Sequence, residues 1–449
     1  MRGFRSTLIL LVMFAGLLAY IYFIENKKPA GGAEPPKEKA VTVTADTITD
    51  LTIKTASGER TVLKKSGAVW QQVEPAQVDA DQTEVSGIVN GLAGLELQRV
   101  VDENPTDLKQ YGLAEPRIDV SFMAAGDKGP RHLHLGDKTA TGGDLYARLQ
   151  DQKRVFLVSG FLDGTFNRTS FDLRDKTILK FDRNKADTVQ IVAPDRMVDM
   201  TKTGEEWRIT KPVEARADYG SVEGLIGRLQ SAQMKAIVKA EATDLKEYGL
   251  DKPEVKATVG AGSARATLEL GKKAADGSVY ARDSARPVVF TVESSLADEL
   301  KKPADDYRRK DLFEFRAFNA TSIEITRGKD TLSFEKVRIE SKEKGKEAET
   351  KWRQVKPAGR DVDPTTFEDF LSKLSNLRAQ SFAGSGTKTG LDRPVAIVSV
   401  RFDDGKKQER VTFGKAGSDV YATRASEAGA AKIETTEYDD ALKALDSLK

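Results

Sequence analysis

One heptapeptide constrains this chain more than any other feature. Asp107-Leu108-Lys109-Gln110-Tyr111-Gly112-Leu113, followed by Pro116, returns as Asp244-Leu245-Lys246-Glu247-Tyr248-Gly249-Leu250, followed by Pro253. A weaker third copy is Thr389-Gly390-Leu391, followed by Pro394. Self-similarity at a fixed period sets the fold before any local propensity does. The copies extend well beyond these letters. Trp70, Trp207 and Trp352 are the three tryptophans of the chain, and each is followed five residues on by a proline: Pro75, Pro212 and Pro357. Downstream come Leu135-Gly136, Leu270-Gly271 and Phe413-Gly414, then Tyr146-Ala147-Arg148, Tyr280-Ala281-Arg282 and Tyr421-Ala422-Thr423. The pitch, 137 residues from Trp70 to Trp207 and 145 from Trp207 to Trp352, is that of a domain able to close its own core, and too long for a solenoid unit.

Within each copy the hydrophobic pattern predicts a β-rich α+β domain. Ile48, Leu51 and Ile53 open the first, Val189 and Ile191 the second, Ile323 and Ile325 the third, all at strand spacing. A second strand and the Trp strand follow. Helices are predicted over Asp81–Leu95, Asp218–Leu229 and Asp363–Leu377; Asp363-Pro364 reads as an N-cap with proline in the first turn. In the first copy four strands come next, over Ile118–Met123, His132–Leu135, Leu145–Leu149 and Val155–Val158, and a closing helix over Gly160–Phe166. Short turns between strands predict a mostly antiparallel sheet with packed helices. The glycine of Tyr-Gly-Leu is expected to supply a positive φ at a helix end, and the tryptophans to lie in the core. A charged stretch of the third copy, Glu340–Lys351, reads as a solvated insertion.

Ahead of the repeats, Ser6–Ile24 is uncharged and almost wholly apolar. As a helix it spans roughly 28 Å, about one bilayer core. Bulky Tyr20–Phe23 stand where a signal peptidase needs small residues, so the segment reads as an uncleaved anchor. Lysine and arginine counts on its two flanks do not fix the orientation; a short basic tail carrying Arg2 and Arg5 favours the cytoplasm for the first residues and the far side of the membrane for the body. The division is therefore 1–5 cytoplasmic tail, 6–24 transmembrane anchor, 25–42 flexible linker, and repeat domains at 43–180, 181–314 and 315–449. In a bacterium this places the protein in the inner membrane, single-pass, with its body in the periplasm.

Composition narrows the chemistry. With 71 basic and 69 acidic residues the net charge is +2, and no basic block stands out; a nucleic-acid partner would need a clustered positive face. Zero cysteines remove disulfides, thiolate nucleophiles and zinc-thiolate sites. The two histidines, His132 and His134, share one face of a strand. In the other copies Thr267 and Arg410 replace the first, Glu269 and Thr412 the second, while the apolar residues between them persist. That pattern reads as a drifting solvent face, and two imidazoles without a third ligand nearby in sequence give no reason to assign a metal. Lys388-Thr389-Gly390 lacks the serine motifs of penicillin-binding enzymes, and Gly384-Ser385-Gly386 lacks the ending of a phosphate loop. Acidic pairs such as Asp305-Asp306 and Asp439-Asp440 have no companion that would make a site. No catalytic residue, cofactor or metal is expected. Tyr146, Tyr280 and Tyr421 remain as a possible stacking platform, against the plainer reading that they cover sheet and core.

The Trp…Pro, Tyr-Gly-Leu…Pro, Leu-Gly and Tyr-Ala-Arg landmarks, behind an N-terminal anchor, resemble a bacterial family of unknown function, domain-of-unknown-function number 4340. The resemblance covers nearly the whole body, and the third copy departs from it at Thr389 and Thr423. It carries no catalytic residue over. It implies a non-enzymatic accessory or scaffold subunit of an ABC-type transport system of the gliding-motility auxiliary kind, beside a permease, an ATPase and a second anchored extracytoplasmic subunit. The alternative is an extracytoplasmic binding module for an envelope polysaccharide, peptide or exported substrate.

Overall fold

The computed structural model describes Met13, Gly16, 38–339 and 349–448. The predicted anchor, apart from Met13 and Gly16, and most of the predicted insertion lie outside these residues. Among the described residues no helix is long and apolar enough to cross a membrane.

Repeat 1 is built from nine strands: β1 (Ile48–Lys54), β2 (Arg60–Ser66), β3 (Val69–Glu74), β4 (Val78–Asp79), β5 (Arg99–Asp102), β6 (Ile118–Ala124), β7 (Arg131–Lys138), β8 (Asp144–Leu149) and β9 (Val155–Ser159). Helix α1 (Gln82–Ala93) lies between β4 and β5, and α2 (Leu162–Phe166) follows β9. The sheet order is β4-β3-β2-β1-β6-β7-β8-β9-β5, and each neighbouring pair is antiparallel. Because β4 and β5 are the two edges, α1 carries the chain from one edge to the other. Asp81 caps it by accepting from the N–H groups of Thr83 and Glu84, and Val85, Ile88, Val89 and Leu92 face inward. Strand β6 alternates buried and half-buried residues along its whole length, so one sheet face joins α1 in the core and the other faces outward. Trp70, Val85, Ile88, Leu92, Phe122 and Leu133 belong to that core.

Repeats 2 and 3 reproduce the strand order strand for strand. Their crossing helices, Tyr219–Ser231 and Pro364–Ser375, are capped by Asp218 and Asp363. Trp207 and Trp352 are buried like Trp70. The peptide bonds before Pro75, Pro212 and Pro357 are all cis. Two short edge strands per repeat were not foreseen. They are two and four residues long in repeat 1, too short to show an alternation.

The chain divides into two compact units, Met1–Lys176 and Thr177–Lys449. Two boundaries differ by a few residues from the sequence division. Residues 38–41, expected in the linker, already dock: Ala40 and Val41 are buried, and Leu97 N–H donates to the carbonyl of Glu38. Thr177 and Ile178 pair with repeat 2: Thr177 bridges to Gln233, and Ile178 N–H donates to the carbonyl of Ala232. Repeats 2 and 3 together make the second unit.

Candidate functional site

The recurrent heptapeptide is a packing device. Asp107 Oδ1 accepts from Lys109 N–H at 2.8 Å, starting a single 3-10 turn over Lys109–Tyr111. Gly112 ends it at φ 65°, with its N–H on the carbonyl of Lys109, while Leu113 N–H reaches back to Leu108. Repeat 2 repeats each bond, from Asp244 to Leu250. The turn lies against the Leu-Gly landmark. A Cβ on Gly136 would stand 2.1 Å from the carbonyl oxygen of Tyr111, and one on Gly271 2.1 Å from that of Tyr248; on Gly414 it would stand 2.5 Å from that of Thr389. Two landmarks far apart in sequence are thus one contact, and only glycine permits it. Gly390 keeps φ 68° in the third copy.

The tyrosines of the two motifs meet each other. Tyr111 and Tyr146 have ring centroids 5.1 Å apart, Tyr248 and Tyr280 5.2 Å. Tyr146 and Tyr280 are half-buried, and each covers part of its ring with a neighbouring tyrosine. Tyr421 has no such partner at Thr389 and is buried. Burial, with the nearby Asp102 carboxylate, raises the Tyr111 phenol above its ordinary pKa.

Chemistry-bearing side chains converge at one place in repeat 1, on the outward face of β6 and β7. Register places Asp119 opposite His134, and Ser121 opposite His132. His132 Nδ1 lies 3.0 Å from Asp119 Oδ1, and His134 Nε2 lies 3.7 Å from the same oxygen. The ligand-capable atoms of the three residues all fall within 4.8 Å of one another. Burial holds His134 below the usual imidazole pKa; Asp119 opposes this, and Arg148 and His132 add to it. Cross-strand pairing continues the row from Arg60 and Lys54 on one side to Arg148 on the other. Beside it opens a groove of about 470 Å³ lined by Asp50, Thr52, Lys54, Arg60, Ser121 and His132, among others. The sequence reading lacked a third ligand because Asp119 is 13 residues from His132 in the chain and reaches it only through strand register.

The same register positions are filled differently in the other repeats. In repeat 2 they hold Lys256, Glu269 and Arg282. Glu269 pairs with Lys256 at 2.9 Å and Arg282 at 2.7 Å. In repeat 3 they hold Ile397, Thr412 and Thr423. The outward face has diverged while the inward face is kept.

A third cluster joins repeats 2 and 3 inside the second unit. Arg216 is 5% exposed. Its guanidinium pairs with Glu314 at 3.1 Å and with Glu427, and donates to the carbonyl of Asp311 at 2.6 Å. Arg424 pairs with Glu409 at 2.6 Å and Glu314 at 3.3 Å. Glu409 in turn accepts from the N–H groups of Glu314 and Phe315. Arg308 stacks on the Phe382 ring at 3.6 Å. Repeat 2 has its own version with the signs exchanged: Asp283 and Arg286 stand where repeat 3 has Arg424 and Glu427. In both, the arginine donates to the carbonyl of an equivalent linking segment, that of Ile178 or of Leu312.

A family described as Domain of unknown function (DUF4340) matches residues 70–206 and 207–394. No curated protein matches the chain. Solved structures with some likeness include DNA polymerase sliding clamps from Pseudomonas aeruginosa. One, with ligand, is 8% identical at a TM-score of 0.15, covering 88% of this chain and 92% of that one. Another, bound to griselimycin, is 8% identical at a TM-score of 0.16, covering 88% and 93%. Similarity this low carries no argument about fold or function.

Proposed function

The chain belongs to the DUF4340 family, and from that premise we propose that it is a non-enzymatic, membrane-anchored envelope protein, an accessory or scaffold subunit of an ABC-type transport system. The body stands in the periplasm, held by Ser6–Ile24, and its partners are the permease, the ATPase and a second anchored extracytoplasmic subunit. The observation that carries this reading is the buried Arg216–Glu427–Arg424 network, which ties repeats 2 and 3 into one unit. A buried ion network adds little net stability over an apolar packing of the same volume, but it enforces one arrangement of the groups that share it. A fixed arrangement of domains is what a scaffold requires. The recurrent residues serve the same end, since the Tyr-Gly-Leu turn and its glycine partner build each repeat. The alternative, a polymer- or peptide-binding module on Tyr146, Tyr280 and Tyr421, draws less support from rings that cover each other or are buried.

Photocrosslinkers at Phe161 and Phe318, which are 73% and 79% exposed, test the reading in intact cells. The scaffold predicts adducts with a polytopic membrane protein or a second anchored subunit. Adducts confined to glycan or to secreted cargo would favour the binding module instead.

A further inference from the structure

We propose that Asp119, His132 and His134 form a binding site for a divalent late transition metal such as Zn²⁺, a site particular to repeat 1. Two imidazole nitrogens turn to a single carboxylate oxygen, at 3.0 and 3.7 Å. Ligand atoms bound to one such ion at about 2.0–2.2 Å stand roughly 3–3.5 Å apart; both contacts to Asp119 are near that spacing, and side-chain rotation that draws together the imidazole nitrogens, which lie within 4.8 Å of each other, completes the set. Their backbone is already fixed: His132 and His134 are alternate residues of β7, and Asp119 is held opposite His134 in β6. The donor set of two imidazoles and one carboxylate suits a borderline-soft ion over magnesium or calcium, which take oxygen ligands.

A plain cross-strand tie would also place opposite charges here, and repeat 2 does so with Lys256, Glu269 and Arg282. Such a tie uses one row of side chains. Repeat 1 adds a second, because His132 comes from the neighbouring row, where repeat 2 has Thr267 bonded to Thr258. Lys54, Arg60 and Arg148 flank the site. Arg60 pairs with Glu74, and both it and Lys54 are exposed to solvent, which weakens their repulsion of an ion. Three protein ligands leave a coordination position open, and the groove beside His132 gives it access.

Isothermal titration of the untagged full-length chain with Zn²⁺ tests the site, paired with histidine modification by diethylpyrocarbonate. His132 and His134 are the chain's only histidines, so the second readout needs no substitution. The expected result is one equivalent bound at micromolar affinity, with both histidines protected from modification. His134→Ala and Asp119→Ala, checked for folding by circular dichroism, should each weaken binding at least tenfold. Absence of saturable Zn²⁺ binding overturns the proposal. So does binding that leaves both histidines open to modification, or that survives unchanged in a folded His132→Ala/His134→Ala variant.

Discussion

The carbonyl oxygen of Tyr111 stands 2.1 Å from where the first side-chain carbon of Gly136 would be. This one approach couples the two most recurrent landmarks of the chain. Gly136→Ala should therefore destabilise repeat 1 by about 3 kcal/mol or more, because backbone rather than a mobile side chain must move. Gly67→Ala is the control: its φ is 62° but no atom lies near its Cβ, so only the left-handed conformation is penalised, by about 1 kcal/mol. Hydrogen exchange should lose protection within Met1–Lys176 in the first variant and change little in the second. Equal effects would show that the turn does not depend on this approach.

The paired tyrosines make a second prediction. Tyr248 is 8% exposed and Tyr280 half-buried, so truncation should cost unequally. Tyr248→Ala should destabilise by about 2–4 kcal/mol and Tyr280→Ala by about 1–2. The double variant should show a coupling of about 0.5–1.5 kcal/mol, as expected for an aromatic pair. Strict additivity in denaturant unfolding would mean that the rings touch without contributing.

Arg216→Ala should leave Arg424 as the remaining partner of Glu427 and Glu314 and the carbonyl of Asp311 without its donor, at a cost of about 2–3 kcal/mol. Its readout is distinctive. Calorimetry of the parent should show repeats 2 and 3 melting together, whereas the variant should resolve them into separate transitions. A variant that still melts as one would place the coupling elsewhere in the unit.

Glu269 provides the pH dependence. Burial raises its carboxyl pKa, but hydrogen bonds from Lys256 and Arg282, and their charges, outweigh this and hold it below the usual 4.5. Because the folded value is the lower one, the ionised form contributes stability that is complete above pH 4.5 and fades as pH falls through the folded value. Glu269→Gln should lower the melting temperature at pH 7, and the gap to the parent should narrow as the pH falls below 4.5. A gap that does not narrow on acidification would contradict the assignment.

Much of this was legible in the sequence, for identifiable reasons. The Trp strands, the Asp-capped crossing helices and the glycine at positive φ each leave a local signature of period or residue type. Three copies let the kept face of each strand be told from the drifting one. The edge strand Val78–Asp79 left none, since two residues carry no alternation. Nor could sequence place Asp119 beside His132 and His134. That contact is a matter of register, and β6 meets β7 through a turn whose length does not by itself fix the pairing. The exchanged signs of Asp283-Arg286 and Arg424-Glu427 were visible as letters, but their shared task at the carbonyls of Ile178 and Leu312 needed the fold.

The central claim is that this chain holds other proteins in place. Affinity purification of the full-length protein from gently solubilised native membranes, with mass spectrometry of what accompanies it, tests that claim most directly. The account predicts a permease, an ATPase and a second anchored subunit at amounts comparable to the bait. Recovery of the bait alone, repeated after crosslinking, would contradict it.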